Sequence, residues 1–218
     1  ASDVYKRQGY DALVSHSVVT TISDNDATPT VTLTSSDVSV AENLGAATLT
    51  ATLSLGAGSA TTVSLNISGN ATLNTDYSVS STSIIIPAGS TSGTATTTAI
   101  ADQVDEESET ITVDVSGVSG GNGASESGNQ QVSITITDDD TAAFTVTQSS
   151  GSTSVAESGS SDDFTVVLGS EPTGNVIFDL SASDSTEATL SASTMTFTSS
   201  NWNSAQTVTV TGVNDNVS

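Results

Sequence analysis

The stretch Val132-Ser133-Ile134-Thr135-Ile136 alternates apolar with polar side chains, and so do Thr30-Val31-Thr32-Leu33-Thr34 and Thr207-Val208-Thr209-Val210-Thr211. Period-two runs rich in Val, Ile and Thr, bounded by Gly, Ser and Asn, are typical of half-buried β-strands. No segment of the chain shows a convincing helical period. The pattern therefore predicts an all-β protein with a thin but regular core.

Composition excludes several classes of function. The 218 residues carry 25 acidic and 2 basic side chains, a net charge of −23. A nucleic-acid-binding surface needs Lys and Arg to displace counterions from phosphates, so no nucleic-acid partner is expected. An anionic membrane would repel the chain, and no apolar run approaches the roughly 20 residues that span a bilayer. Because the chain has no Cys, disulfides, a thiol nucleophile and a Cys-ligated zinc site are excluded.

The sequence repeats itself with a period of about 110 residues, the size of a seven-stranded sandwich domain. TISDND at residues 21–26 returns as TITDDD at residues 135–140, and SVAE at residues 39–42 returns at residues 154–157. We therefore expect tandem copies of one unit.

The repeats divide the chain into four predicted parts. Residues 1–8, ASDVYKRQ, hold the only Lys and Arg and resemble translated sequencing-adapter readthrough. We therefore expect an artefact there rather than a genuine basic turn. The other parts are the tail of one copy at residues 9–26, a complete copy at 27–140, and a truncated, diverged copy at 141–218. The whole is expected to be a segment of a longer protein.

Within the complete copy, Gly-rich breaks such as Gly56-Ala57-Gly58 separate seven predicted strands. The strands lie near residues 30–40, 46–54, 61–68, 77–86, 92–100, 109–116 and 131–137. The first and the fourth are expected to be broken. The predicted fold is a tandem array of seven-stranded antiparallel β-sandwiches.

The acidic residues of the complete copy collect in four connections. They follow the first, third, fifth and seventh predicted strands, and alternate connections of an antiparallel sandwich lie at the same end. About ten carboxylates are thus predicted at one end, whereas Glu126 is the one acid at the other. We call this end the acidic tip, and it comprises Glu42, Asp76, Asp102, Asp105, Glu106, Glu107, Glu109, Asp138, Asp139 and Asp140.

Crowded carboxylates require neutralisation. Two of them at about 4–5 Å repel by roughly 3–4 kcal/mol at an effective dielectric constant of about 20. Either the acids take up protons through raised pKa values, or a cation binds. Oxygen ligands in this number favour Ca²⁺, with its flexible coordination by roughly six to eight oxygens, over Mg²⁺. A solvated charged surface without an ion is the alternative interpretation.

Residues 27–140 resemble a Calx-β domain, the calcium-binding module of sodium–calcium exchangers that is also repeated in large bacterial surface proteins. The matching segments are VAENLG at 40–45, TDY at 75–77, DQVDEESET at 102–110 and ITITDDD at 134–140. The resemblance implies an immunoglobulin-like sandwich with a Ca²⁺ cluster at one tip.

The resemblance also implies which residues hold calcium. They are Glu42, Asp76, Asp102, Glu106, Glu109, Asp138, Asp139 and Asp140, with the backbone carbonyl of Val104 as a further candidate. Asp105 and Glu107 are expected to face solvent. The exchanger pattern has an acid before Asp102, and Ala101 at that place is expected to cost one ion or lower the affinity. The third copy keeps Glu157, Glu187 and Asp215 at matching places, which implies a weak partial site.

The function that the sequence favours is a calcium-binding structural repeat of an exported, adhesin-like bacterial surface protein, in which Ca²⁺ stiffens the junctions. Its expected partners are calcium ions, neighbouring repeats and a cell-surface glycan or protein. The alternative is a glycan- or protein-binding sandwich with incidental calcium, in which Trp202 either stacks on a sugar or anchors packing. Catalysis is not expected, because a glycosidase needs a cleft with aromatic walls and His16 is the single His of the chain.

Overall fold

The computed structural model describes residues 27–214, which form two units of β-strands. The predicted tail of a preceding copy, His16 and Asp215 lie outside the described residues. Among residues 27–214, no helix is long and apolar enough to cross a membrane.

The first unit, residues 27–140, contains ten strands arranged in two five-stranded sheets. They are β1 (Thr30–Ser35), β2 (Ser39–Ala41), β3 (Ala46–Leu53), β4 (Thr61–Gly69), β5 (Tyr77–Val79), β6 (Ser83–Ile86), β7 (Ser92–Ala99), β8 (Glu109–Gly120), β9 (Ser125–Glu126) and β10 (Gln131–Thr137). The sheet orders are β5-β7-β3-β1-β9 and β2-β10-β8-β4-β6. The first and fourth predicted strands are each broken in two, and the two halves join different sheets.

Alternation along the strands places one face of each sheet in a shared core. Val31 and Leu49 from one sheet pack in the same cluster as Val63, Ile111 and Ile134 from the other, and all five are buried. The Thr and Ser residues between them lie mainly on the outer faces. The prediction of an all-β sandwich is confirmed.

Two details differ from the simple antiparallel prediction. Strand β8 continues to Gly120, beyond the predicted end at residue 116. The pairing of β4 with β8 changes register between Ser64 and Leu65 of β4. This irregularity interrupts the apolar–polar alternation of β8, so the sequence pattern did not predict the last part of the strand. The short strands β2 and β9 pair in parallel with β10 and β1, respectively. Since β2 crosses to the second sheet, it runs beside the last strand in the same direction.

The second unit, residues 141–214, repeats part of this architecture. Its elements are β11 (Phe144–Gln148), a 3₁₀ turn (Ser149–Gly151), β12 (Ser161–Leu168), β13 (Val176–Asp179), β14 (Ala188–Leu190), β15 (Thr194–Phe197) and β16 (Gln206–Gly212). The sheet orders are β11-β12-β16-β14 and β13-β15. They match β1-β3-β7-β5 and β4-β6, so this unit has counterparts of β1 and β3 to β7. Within the described residues no strand corresponds to β8 or β10, and the exact domain boundaries remain predictions.

Candidate metal centre

The four acidic connections of the first unit meet at one end of the sandwich. Glu42 follows β2, Asp76 precedes β5, Glu106 lies between β7 and β8, and Asp138 follows β10. Together with Glu107, Glu109 and Ile136, they line a small cavity of about 10 Å³. The convergence inferred from strand order is therefore present in the structure.

Glu42 is the buried centre of this tip, with only 5% of its surface exposed. Its backbone N–H donates to the carbonyl of Thr137 at 2.9 Å, and its Oε1 accepts a hydrogen bond from the N–H of Asp102 at 3.0 Å. The pKa of Glu42 is raised to about 7, mainly by burial and further by contact with the Asp138 carboxylate and by the charge of Asp102. The hydrogen bond from Asp102 acts in the opposite direction and does not outweigh them.

A second group of carboxylates lies beside Glu42. Asp76, Glu106 and Glu109 can each offer one oxygen within 4.8 Å of the other two. Burial first, and then the hydrogen bond with Asp76 and the nearby charges, together raise the pKa of Glu109 to about 7. Burial, followed by the charges of Asp102, Asp76 and Asp138, also raises the pKa of Glu106. Asp76 is held in place by a hydrogen bond from the N–H of Thr72.

The three consecutive aspartates after β10 have different surroundings. Asp138 contacts Glu42, whereas Asp139 is exposed and accepts a hydrogen bond from Nδ2 of Asn43 at 3.0 Å. Burial, and then the charges of Asp138 and Asp139, raise the pKa of Asp140. The sequence pattern did not identify Asn43 as a site residue, although it directly follows Glu42.

The loop that carries Asp102 and Val104 also touches the second unit. The N–H of Val104 donates to the carboxylate of Asp102 at 2.8 Å. The carbonyl of Gln103 accepts a hydrogen bond from the N–H of Glu171 at 2.6 Å, and Val104 forms an isolated parallel bridge with Glu171. The loop thus links the acidic tip to the following unit.

The two acids expected to face solvent, Asp105 and Glu107, are both exposed and line different cavities. Asp105 is exposed and lines a cavity of about 430 Å³ between the units, together with Phe144 and Phe178. Glu107 is also exposed, but it lines the small cavity of the acidic tip. The exposure of both side chains agrees with the expectation that they face solvent, and their lesser part in ion binding stays a prediction.

The second unit keeps a backbone hydrogen bond of the site, but its described acidic side chains do not form a comparable cluster. The N–H of Val213 donates to the carbonyl of Glu187 at 2.9 Å, as the N–H of Ile100 does to that of Asp76. Glu157 and Glu187 are both exposed. Among the described residues, the only group of three acids close enough to share an ion is Asp76, Glu106 and Glu109. The partial site at Glu157, Glu187 and Asp215 thus stays a prediction.

The side chain of Trp202 is buried in the second unit and is not available at the surface. Only 8% of its surface is exposed, and its carbonyl accepts a hydrogen bond from the N–H of Leu168 at 3.1 Å. The suggestion that Trp202 stacks on a sugar is therefore wrong, and the alternative of a packing anchor describes it.

The donor set of the acidic tip fits a hard divalent cation. Every side-chain ligand is a carboxylate oxygen, a kind that Ca²⁺ and Mg²⁺ prefer and that soft transition metals do not. Residues 27–214 contain no Lys, Arg or His, since Lys6, Arg7 and His16 all precede them. Side chains of the two described units therefore supply no positive charge to the buried Glu42.

The fold and the site define a β-sandwich module with an acidic, cation-accepting tip. Residues 24–140 match the Calx-beta domain, and the chain belongs to this family, as its sequence predicts. Calx-beta domains are calcium-binding modules. No curated protein matches the chain.

Several solved structures are similar to the chain. CBD12 from CALX1.2 is 20% identical, with 86% of this chain and 76% of that chain covered and a TM-score of 0.44. The apo-form Calx CBD1 domain is 20% identical, with 52% and 100% covered and a TM-score of 0.45. The calcium binding domain CBD12 of CALX1.1 is 23% identical, with 67% and 61% covered and a TM-score of 0.44.

Proposed function

We propose that the first unit binds Ca²⁺ at the acidic tip and is stabilised by it. The observation that carries the proposal is the buried carboxyl of Glu42, which faces Asp102 and Asp138 without a basic side chain in either described unit. A bound cation would neutralise this group, and calcium binding in the family agrees with it.

Two sets of residues would hold the ions. Asp76, Glu106 and Glu109 would form one set, because their oxygens already lie within reach of a common ligand. Glu42 and Asp102, with the aspartates after β10 and the carbonyl of Val104, would form the other. Ca²⁺ is favoured over Mg²⁺, because the smaller ion demands near-ideal octahedral geometry that crowded carboxylates from four connections do not readily supply. Two or more ions per first unit are expected.

Calorimetric titration of the whole chain with CaCl₂ tests the proposal. Extracellular modules bind at about 10⁻⁴–10⁻³ M, and this number of charges supports that range or tighter binding. Glu106→Gln keeps the shape but removes a charged ligand, so a loss of about tenfold, equivalent to about 1.4 kcal/mol, is expected. Glu126→Gln is the matched control at the opposite end and should bind like the wild type. Absence of binding heat, or an equal loss in both variants, contradicts the proposal.

We further propose that calcium fixes the junction between repeats and that the chain serves as a structural repeat of an exported, adhesin-like surface protein. Three residues separate Asp140 from the start of β11, too few for a free hinge. The bond from Glu171 to Gln103 supports this role because it ties the calcium-site loop to the next unit. Neighbouring repeats, and a surface glycan or protein bound by the array, would be the partners.

A further inference from the structure

The segment that follows β4 takes the place of a strand neighbour beside the start of β8. The pairing of β4 with β8 ends at Gly69, which lies opposite Ile111. Thr110, the next residue of β8 toward the acidic tip, therefore has β10 as a paired strand on one side only. On the side of β4, its N–H donates to Oδ1 of Asn70 at 2.7 Å, and its carbonyl accepts from the N–H of Ala71 at 3.2 Å. A side chain and a loop N–H thus satisfy the backbone groups that a strand would otherwise pair.

Asn70 holds Thr110 by two hydrogen bonds to one oxygen. Its Oδ1 also accepts from the hydroxyl of Thr110, at 2.7 Å. An amide oxygen has two lone pairs, so both donors can be satisfied at once. The backbone approaches just as closely, because a Cβ at Gly69 would lie 2.0 Å from the carbonyl oxygen of Thr110. The φ of Gly69 is +125°, a value that glycine adopts without strain.

The same loop also holds Asp76. The N–H of Thr72 donates to the carboxylate of Asp76, and the N–H of Asp76 donates to the carbonyl of Thr72 at 2.9 Å. Glu109 directly precedes Thr110 in β8. Residues 69–76 therefore hold Asp76 directly and Glu109 through its neighbour in the chain. These two acids belong to the group of three whose oxygens lie within 4.8 Å of one another.

From these contacts we propose that Asn70 is a positioning residue of the metal centre, acting through Thr110. By fixing the first residues of β8, Asn70 keeps Glu109 beside Asp76 before an ion is bound. Groups that orient metal ligands without binding the ion commonly change metal affinity by about 10–100-fold. The inference rests on the proposed calcium binding of the first unit, and it adds a residue that the acidic motifs do not contain.

Asn70 would act on one of the two sets of ligands. Glu42 is held by hydrogen bonds with Thr137 and Asp102, both outside this loop. Loss of the Asn70 bonds should therefore weaken the ion at the set that contains Asp76. Binding at the set around Glu42 should stay close to that of the wild type.

Calorimetric titration of whole-chain variants with CaCl₂ tests the positioning role. Asn70→Ala removes the acceptor and should lower the affinity of one class of sites by about tenfold, the low end of the range, because Asn70 acts through a neighbour. Asn70→Asp keeps an acceptor oxygen and should restore binding. Thr110→Val removes the hydroxyl but keeps the N–H, so its loss should be smaller. Asn66→Ala is the matched control, because it removes an exposed amide from the same strand, and it should bind like the wild type.

Amide hydrogen exchange in chelator measures the contact between Asn70 and Thr110 without calcium. The N–H of Thr110 should exchange about tenfold faster in Asn70→Ala than in the wild type or Asn70→Asp, which is near the upper net value of one hydrogen bond. The N–H of Val113, within β8, should exchange equally in all three proteins. This comparison separates local release of Thr110 from global unfolding.

Equal exchange at Thr110 in the wild type and Asn70→Ala overturns the proposal, and so does an equally large acceleration at Val113. Unchanged calcium affinity in Asn70→Ala, or a loss that Asn70→Asp does not restore, also overturns it. A wild type without binding heat contradicts the proposed calcium binding instead. The exchange experiment in chelator would then still decide whether Asn70 holds the start of β8.

Discussion

Glu42 and Glu109 occupy an unusual environment for carboxyl groups, in which burial and then neighbouring carboxylates raise the pKa of each to about 7. In the absence of a cation, protonation is the way in which these groups avoid a buried charge. Calcium and protons would therefore compete for the same oxygens. At the scale of single residues, the stability of the calcium-free protein is therefore expected to depend on pH in a defined direction.

Between about pH 4.5 and 7, the folded state binds more protons than the unfolded state, because its glutamate pKa values are raised. Unfolding free energy then falls as pH rises. We expect the melting temperature in chelator to decrease from about pH 5 to about pH 8. Asp162 and Asp184, whose pKa values are lowered by hydrogen bonds with Ser149 and Thr186, titrate below this window.

Glu42→Gln should flatten this slope and raise the melting temperature of the calcium-free protein near pH 8. Gln can accept the bond from the N–H of Asp102 and can donate to Asp138, so the substitution replaces repulsion with a hydrogen bond. Glu126→Gln is the control and should leave the slope unchanged. Scanning calorimetry across pH measures both, and a wild type whose stability rises through the window would show that these carboxyls are not desolvated.

At the scale of elements, the turn after β2 positions Glu42 through a close backbone contact. The N–H of Gly45 donates to the carbonyl of Ala41, and the carbonyl of Gly45 accepts from Ala99. A Cβ at residue 45 would lie 2.4 Å from the oxygen of Ala41. In the second unit a similarly close approach is made from a different element, because a Cβ at Gly212 of β16 would lie 2.2 Å from the oxygen of Ala156.

Gly45→Ala is therefore expected to destabilise the first unit by about 1–3 kcal/mol, the usual cost of overpacking. It should also weaken calcium binding, because Glu42 shares the displaced turn. Gly117→Ala is the matched control, since a Cβ there meets no atom within 4 Å. Urea unfolding compares the two, and equal losses would mean that the contact with Ala41 does not constrain the turn.

The sequence predicted most of the elements because alternation is a local property. The buried positions Ile134 and Ile136 follow directly from it, and strand order then brought four acidic connections together. The extension of β8 was missed because a bulge changes which residues face the core. The hydrogen bond between Asn43 and Asp139, and the contact between Gln103 and Glu171, depend on how loops fold against one another, which periodicity does not encode.

At the scale of the whole molecule, the acidic tip lies where the first unit meets the second. Calcium bound by the loop at residues 102–109 would order the segment that accepts the N–H of Glu171. We expect small-angle scattering of the chain to show a narrower range of maximum dimensions in calcium than in chelator.

Glu171→Pro removes the donor N–H and should reduce this response without abolishing calcium binding. Scattering profiles that coincide in calcium and chelator would rule out a stiffening role, even for a protein that binds the ion.

Thermal unfolding of the whole chain at neutral pH, in chelator and in about 10 mM Ca²⁺, tests the central claim most directly. A site with a dissociation constant of about 10⁻⁴ M would gain about 2.7 kcal/mol at a hundredfold excess of free ion. For a unit of this size, that gain corresponds to a rise of roughly 10 °C or more in melting temperature. We expect such a rise for the wild type, and a much smaller rise for Glu42→Gln. Superimposable wild-type unfolding curves in the two conditions would contradict it.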